Sequence, residues 1–105
     1  MKIALDFDGT IIQRRGIPRR ENGWQKELPT QGCREAIDFL QRLGHDLYIL
    51  TNRPKTEWKE IKKWMKEWWI PELKITNIKQ PNTAVYIDDR AIRFTNWQDI
   101  CKYFG

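Results

Sequence analysis

Apolar residues fall into four short runs along the chain, separated by polar and turn-forming residues. The runs cover residues 2–7, 47–50, 73–78 and 84–87. Runs of this length are typical of strands buried on both faces. Between them, apolar residues recur at helical spacing, so strands and helices alternate. This alternation predicts an α/β fold, a Rossmann-like three-layer sandwich with a parallel sheet and helices on both faces.

The first and last predicted helices carry one apolar stripe each. The first follows Thr30 as N-cap and ends at Gly44. Its stripe comprises Cys33, Ala36, Ile37, Leu40 and Leu43. The last helix follows a capping-box pattern at residues 95–98 and is expected to dock on the sheet. Its packing face comprises Trp97, Ile100, Cys101 and Phe104.

The helix predicted over residues 55–69 is strongly amphipathic. Its apolar face comprises Trp58, Ile61, Trp64, Met65, Trp68 and Trp69. The neighbouring sector collects Lys55, Lys59, Lys62, Lys63 and Lys66. We interpret the aromatic face as core and the lysine sector as a solvated face, with contact to nucleic acid as the alternative.

The length of 105 residues fits a single domain spanning residues 1–105. No apolar run approaches the ~20 residues that span a bilayer, and the amino terminus does not resemble a signal peptide, so a cytoplasmic protein is expected. Cys33 and Cys101 are expected to be reduced thiols. A net charge of +5 favours anionic partners, from phosphorylated metabolites to nucleic acid.

Pairs of carboxylates follow two of the predicted strands. Asp6 and Asp8 end the first strand two residues apart, so they lean to the same side and favour a shared cation. Gly9 and Thr10 then form a turn that can direct backbone N–H groups at an anion. Asp88 and Asp89 end the last strand. Each stretch also suits an ordinary turn, but the carboxyl ends of parallel strands share one edge, where ligands bind.

These stretches resemble the motifs of the haloacid dehalogenase superfamily, mostly phosphatases with an aspartate nucleophile. The stretch Asp6-Phe7-Asp8-Gly9-Thr10 resembles motif I, and the apolar strand ending in Thr51 resembles motif II. Lys79 fits the lysine of motif III, with Lys74 as the alternative. The Asp88-Asp89 pair matches a common form of motif IV. The resemblance is greatest to a small subgroup without a cap domain, found in bacteria and phages.

The resemblance implies a chemical role for each motif. Asp6 is the expected nucleophile and Asp8 the general acid–base, while Thr51 and Lys79 hold the transferring oxygens. A Mg²⁺ ion is expected at the four motif aspartates, with Asp8 contributing its backbone carbonyl. The expected metal-binding residues are Asp6, Asp8, Asp88 and Asp89. The expected substrate-binding residues are Gly9, Thr10, Asn52 and Arg53.

Residues 11–30 are predicted to form a flap, and the resemblance implies that this flap overhangs the site. The Asn22-Gly23 pair is a strong hairpin signal. Four arginines lie within seven residues, namely Arg14, Arg15, Arg19 and Arg20. They suit recognition of phosphate or of another charged group on the substrate, although a solvated basic loop has the same composition.

The leading functional hypothesis is a Mg²⁺-dependent phosphomonoester hydrolase that acts through an aspartyl-phosphate on a phosphorylated small molecule. The expected site is open, so it could admit large substrates or be covered by a neighbouring subunit of an oligomer. A nucleic-acid end phosphatase is the alternative among enzymes. A non-catalytic basic binding module on the same fold is the alternative from a different class.

Overall fold

The computed structural model of the protein describes residues 1–14 and 23–105. The strands are β1 (Lys2–Leu5), β2 (Asp46–Leu50), β3 (Lys74–Thr76) and β4 (Thr83–Ile87). The helices are α1 (Cys33–Arg42), α2 (Trp58–Glu67) and α3 (Trp97–Phe104). Single 3-10 turns cover Trp24–Lys26 and Lys55–Glu57. The predicted α/β class is therefore confirmed.

The four strands form one parallel sheet in the order β3-β2-β1-β4. The sheet order places β1 between β2 and β4, which are far apart in the sequence. The amide of Asp6 extends the β1–β4 pairing by donating to the carbonyl of Ile87 at 3.0 Å. The carboxyl ends of β1 and β4, each followed by acidic residues, therefore lie side by side.

One face of the sheet forms the hydrophobic core with α1 and α2. The register pairs Ile3 with Leu47 and Leu5 with Ile49, so these side chains share a face. The helices contribute four buried side chains to the same cluster, namely Ile37, Ile61, Trp64 and Met65. Burying each such side chain is worth about 1.5–3 kcal/mol, so this face dominates the stability of the fold.

The opposite face of the sheet is crossed by the connection between β3 and β4. The hydroxyl of Tyr48, on β2, lies 2.7 Å from that of Thr83 and accepts a hydrogen bond from the Gln80 amide at 3.2 Å. Residues 77–82 form no helix. A short connection, and not a helix, therefore covers Tyr48.

The final helix forms where its sequence pattern predicts it. The Asn96 side chain caps it by accepting from the Asp99 amide at 2.8 Å. However, none of its residues is buried, and Val85 and Ile87 of β4 are each 40% exposed. The prediction that this helix docks on the sheet is wrong for this structure. The amphipathic pattern specifies an apolar side of a helix, but it does not specify the surface that this side contacts.

The ends of α1 and α2 also differ from the sequence prediction. Gly32, with φ +80°, is the N-cap of α1, and the Thr30 hydroxyl donates instead to the Thr10 carbonyl at 2.6 Å. The apolar face predicted for α2 is buried only in part, because Trp68 and Trp69 lie beyond its end and are 40% and 80% exposed.

The described ends of the predicted flap pair with each other next to the first acidic motif. Ile12 bridges Pro29, and the Gln13 amide donates to the Leu28 carbonyl at 2.8 Å. Trp24 is buried and contacts the Phe7 ring edge to face. The rest of the flap prediction, including Arg15, Arg19, Arg20 and Asn22, lies outside the described residues.

Among the described residues, no helix has the length and apolarity needed to cross a membrane. Both cysteines in this part of the chain are free thiols.

Candidate active site

Three carboxylates meet at the carboxyl edge of the sheet. Asp6 follows β1, and Asp88 and Asp89 follow β4, which is its neighbour. One oxygen from each of the three carboxylates lies within 4.8 Å of the other two. Asp6 is half-buried, whereas Asp88 and Asp89 are exposed. We call this group the carboxylate cluster.

Burial and neighbouring charges change the acidity of Asp6. Burial and, next, the charge of Asp88 raise the Asp6 pKa from 3.8 to about 6. A hydrogen bond from the Phe7 amide to Asp6 Oδ1, 2.9 Å long, acts in the opposite direction. Three ionised carboxylates this close repel one another, so the cluster favours a bound cation or a proton on Asp6.

Replacing Asp88 with asparagine should lower the Asp6 pKa, since the substitution removes the neighbouring charge that raises this pKa most. The measurement is a carboxyl-carbon NMR titration in chelator. Asp6 binds its proton more tightly in the folded chain than in the unfolded chain, so its ionised form lowers the free energy of unfolding. This destabilisation is complete above about pH 6 and is relieved as the pH falls toward 3.8. An Asp6 pKa unchanged by the substitution would show that the two groups do not interact.

Gly9 allows Asp89 to approach the first acidic motif. Its φ is +82°, and a Cβ built on it would overlap Asp89 Oδ2. No side chain fits in that space unless Asp89 moves. The Arg14 guanidinium also approaches here, with Nε 3.7 Å from the same carboxylate. Gly9 therefore permits both the turn and the assembly of the cluster.

Replacing Gly9 with alanine should destabilise the fold and displace Asp89 from Asp6. Gly32 offers a matched control, because its φ is +80° but no atom lies within 4 Å of the corresponding Cβ. Gly32→Ala should show only the backbone cost, about 1 kcal/mol. Denaturant unfolding should therefore show about the same loss for the two variants, because the exposed Asp89 side chain can move aside. Only Gly9→Ala should lower the Asp6 pKa, since it moves the Asp89 charge away, and an Asp6 pKa unchanged by Gly9→Ala would contradict the close approach of Asp89.

The Asp8 carboxylate lies outside the cluster and is paired with Arg53. The guanidinium donates to both carboxylate oxygens, at 3.0 and 2.8 Å, and a third bond reaches Glu57 at 3.1 Å. The Arg53 side chain is only 4% exposed and lies over the Trp24 ring, 4.5 Å from its centroid. Asp8 was predicted as a metal residue through its backbone carbonyl, which here accepts from Arg14 at 3.1 Å.

The sequence patterns do not predict the bidentate pair between Asp8 and Arg53. Its two members are 45 positions apart, and no local pattern connects them. Arg53 was predicted to contact substrate, but in this structure the pairing fixes the position of Asp8. The neighbouring Asn52, also predicted to contact substrate, follows the carboxyl end of β2 and is exposed. The carboxylate cluster lies at the same edge of the sheet.

Thr51 and the turn amides make internal hydrogen bonds. Thr51 is buried, and its hydroxyl accepts from the Arg53 amide at 3.1 Å. The Gly9 amide donates to the Ile12 carbonyl and the Thr10 amide to that of Phe7. These amides are thus used within the turn and are not directed at an anion. The Thr10 hydroxyl is buried without a hydrogen-bond partner among the residues described.

Lys79, predicted as the motif III lysine, lies before β4. Its ammonium is 5.2 Å from the centroid of the Tyr86 ring, on the face of the sheet. The alternative, Lys74, opens β3 at the amino end of that strand and is exposed. Of the two lysines, Lys79 belongs to the segment that leads directly into Asp88 and Asp89.

Comparison of the chain with protein-family models, with curated proteins and with solved structures gave no match. We therefore infer function from the carboxylate cluster and its surroundings.

Proposed function

We propose that the protein is a Mg²⁺-dependent phosphomonoester hydrolase of the haloacid dehalogenase type, without a cap domain. The observation that supports this most directly is the carboxylate cluster at the carboxyl edge of a parallel sheet. Asp6 is its most buried member and has a pKa raised to about 6. Ligands of α/β proteins bind at this edge.

The carboxylate cluster suits a hard divalent cation. All its donors are oxygens, and a bound cation would offset the two effects that raise the Asp6 pKa, which are burial and then the charge of Asp88. Asp6, Asp88 and Asp89 would hold the ion. When bound, Mg²⁺ supplies charge that offsets the repulsion between a carboxylate nucleophile and a phosphate group.

The proposed reaction proceeds in two displacements at phosphorus. An Asp6 oxygen forms a bond to phosphorus as the ester bond breaks, which gives an aspartyl-phosphate. To act as the general acid, Asp8 must carry a proton, so its pair with Arg53 has to open first. The protonated Asp8 would then protonate the departing ester oxygen and afterwards accept a proton from the water that attacks phosphorus. The hydrolysis returns Asp6 and releases phosphate.

Two further residues complete the proposed binding of the phosphoryl group. The Thr51 hydroxyl, at the end of β2, would donate to one oxygen, and Lys79 would neutralise another. Lys79 must leave the Tyr86 ring to do so, and its four-carbon side chain can adopt many rotamers. A Lys79→Met variant that kept full activity would remove Lys79 from the mechanism.

Turnover of p-nitrophenyl phosphate tests the proposal. We expect hydrolysis with Mg²⁺, its loss in EDTA, and its recovery when excess Mg²⁺ is added. A panel of phosphorylated metabolites then defines the preferred small molecule. Metal-independent turnover would contradict the carboxylate site. If no phosphate ester in a broad panel were hydrolysed, a non-catalytic basic binding module would be the better description.

A polynucleotide end is the second candidate substrate, and the exposed lysine sector beside α2 favours it. Lys55, Lys59, Lys62, Lys63 and Lys66 are all exposed. An end phosphatase that uses these lysines should lose activity steeply with salt on an oligonucleotide but not on p-nitrophenyl phosphate. Equal salt dependence on both substrates would exclude this alternative.

A further inference from the structure

Trp69 has a backbone conformation that rarely suits a large side chain. It follows α2 with φ +60°, in the left-handed region. Its amide donates to the Lys66 carbonyl at 3.1 Å, and the Ile70 amide donates to that of Met65 at 2.9 Å. These two bonds define a Schellman motif, in which the position of Trp69 normally belongs to glycine. A tryptophan here strains the backbone.

Packing does not compensate for this strain, since Trp69 is 80% exposed. A buried aromatic residue would repay the cost through the hydrophobic effect, but an exposed one does not. Stability therefore gives no reason for a tryptophan at this position. Strained residues that persist without a structural benefit commonly serve binding.

A basic groove lies beside Trp69. Its volume is about 460 Å³, its walls include Lys62, Lys63 and Lys66, and its floor includes Met65 and Ile70. Glu72 is the acidic residue of the lining, and Glu67 lies with Trp69 in the adjacent depression. Within the described part of the chain, none of the three lysines forms an ion pair. Their ammonium groups are available to an anionic ligand.

We propose that Trp69 and the three lysines, Lys62, Lys63 and Lys66, form a binding surface for single-stranded nucleic acid. Such surfaces combine an aromatic ring that stacks on a base with cations along the phosphate backbone. Both components are present here between Lys62 and Trp69, in the last part of α2 and the turn that follows it. Stacking on an exposed ring contributes about tenfold in affinity or more, and it tolerates any base.

This surface lies at the opposite edge of the sheet from the carboxylate cluster. The α2 helix starts near the carboxyl end of β2 and runs back to the edge where β3 begins. Binding here needs no metal at the carboxylate cluster and can be measured in EDTA. Loss of phosphatase activity would not affect this result, and loss of binding would weaken the polynucleotide alternative but not the proposed hydrolysis of small phosphate esters.

Fluorescence anisotropy with a labelled oligothymidylate of about twelve nucleotides tests the proposal. Trp69→Gly should weaken binding about tenfold or more while raising the melting temperature, because glycine relieves the strained backbone. Trp97→Ala is the matched control, since Trp97 is also exposed, at 71%, but on α3. It should leave the affinity unchanged.

The salt dependence of binding tests the lysines separately. Replacing Lys62, Lys63 and Lys66 with glutamine should flatten the plot of log affinity against log salt by about two units. Arg93 and Lys102, which are both exposed and lie on or near α3, provide the control when they are replaced together with glutamine. That variant should keep most of the slope.

Three results would overturn the proposal. One is wild-type protein that does not bind the oligothymidylate at low salt. Another is Trp69→Gly protein that binds as tightly as wild type, or that melts at a lower temperature, because the indole would then be a packing residue. The third is Trp69-dependent binding to anionic phospholipid vesicles without binding to the oligonucleotide, which would make this a membrane-contacting surface.

Discussion

Replacing Asp6 with asparagine should reduce phosphomonoester hydrolysis by about 10⁴-fold or more while the fold remains intact. The amide has the same shape as the carboxylate and can still accept the hydrogen bond from the Phe7 amide. It cannot act as the nucleophile, however, because it lacks the negative charge. The substitution also removes a charge that burial and Asp88 disfavour, so the metal-free variant should melt at or above the temperature of the wild type.

Asp46→Asn is the control for this prediction. Asp46 is exposed and begins β2, at the edge of the sheet away from the carboxylate cluster. That variant should keep wild-type turnover and stability. Full activity in Asp6→Asn would exclude Asp6 as the nucleophile, and a cooperative unfolding transition in the inactive variant would show that the loss is chemical.

Replacing Arg53 with methionine should destabilise the fold by about 3 kcal/mol. Methionine is similar in length but removes three hydrogen bonds, two to Asp8 and one to Glu57. The Arg53 side chain is 4% exposed and that of Asp8 16%, so water cannot readily replace the lost guanidinium. The Asp8 charge would remain without its partner, which is the main cost of breaking such a pair. Urea unfolding provides the measurement.

Arg42→Met provides the matched control for Arg53→Met. Arg42 forms an equally short ion pair, 2.9 Å to Asp38, but its side chain is 78% exposed. Exposed pairs of this kind contribute about 0.5 kcal/mol or less. If the two substitutions cost the same, burial would not be what makes the Arg53 pair important. Asp8→Asn in the Arg53→Met background should recover part of the lost stability.

The convergence of Asp6 with Asp88 follows from features that the sequence displays locally. Each aspartate ends an apolar run, and the ends of parallel strands meet at one edge. What the sequence does not display is which strand is adjacent to which. The β1–β4 pairing, with Asp6 bonded to Ile87, brings together residues from opposite ends of the chain.

The role of Arg53 illustrates what local patterns cannot provide. Its position after Thr51 suggested a residue that faces substrate. The structure instead pairs it with Asp8 and places it over the buried ring of Trp24. Asp8 and Trp24 are distant from Arg53 in the sequence. The pair between Asp8 and Arg53 therefore depends on how the described ends of the predicted flap pack against α2. A pattern of residue types carries no such information.

The amphipathic pattern of α2 and α3 predicted helices but overstated their burial. Ile61 and Trp64 are buried as expected, whereas Trp69 is exposed because the helix ends at Glu67 and the chain turns. In α3, Trp97 is exposed although it belongs to the apolar side. Periodicity reports which residues share a side of a helix, and tertiary contacts decide whether that side is covered.

The mass of the Asp6-containing peptide after acid quench tests the central claim most directly. Protein mixed with a reactive phosphomonoester and Mg²⁺, quenched within the first turnovers and digested, should carry one phosphoryl group on Asp6. The group should be absent in EDTA and in the Asp6→Asn variant. A phosphoryl group on any other residue, or turnover in which rapid quenching detects no phosphorylated protein, would contradict the proposed nucleophile.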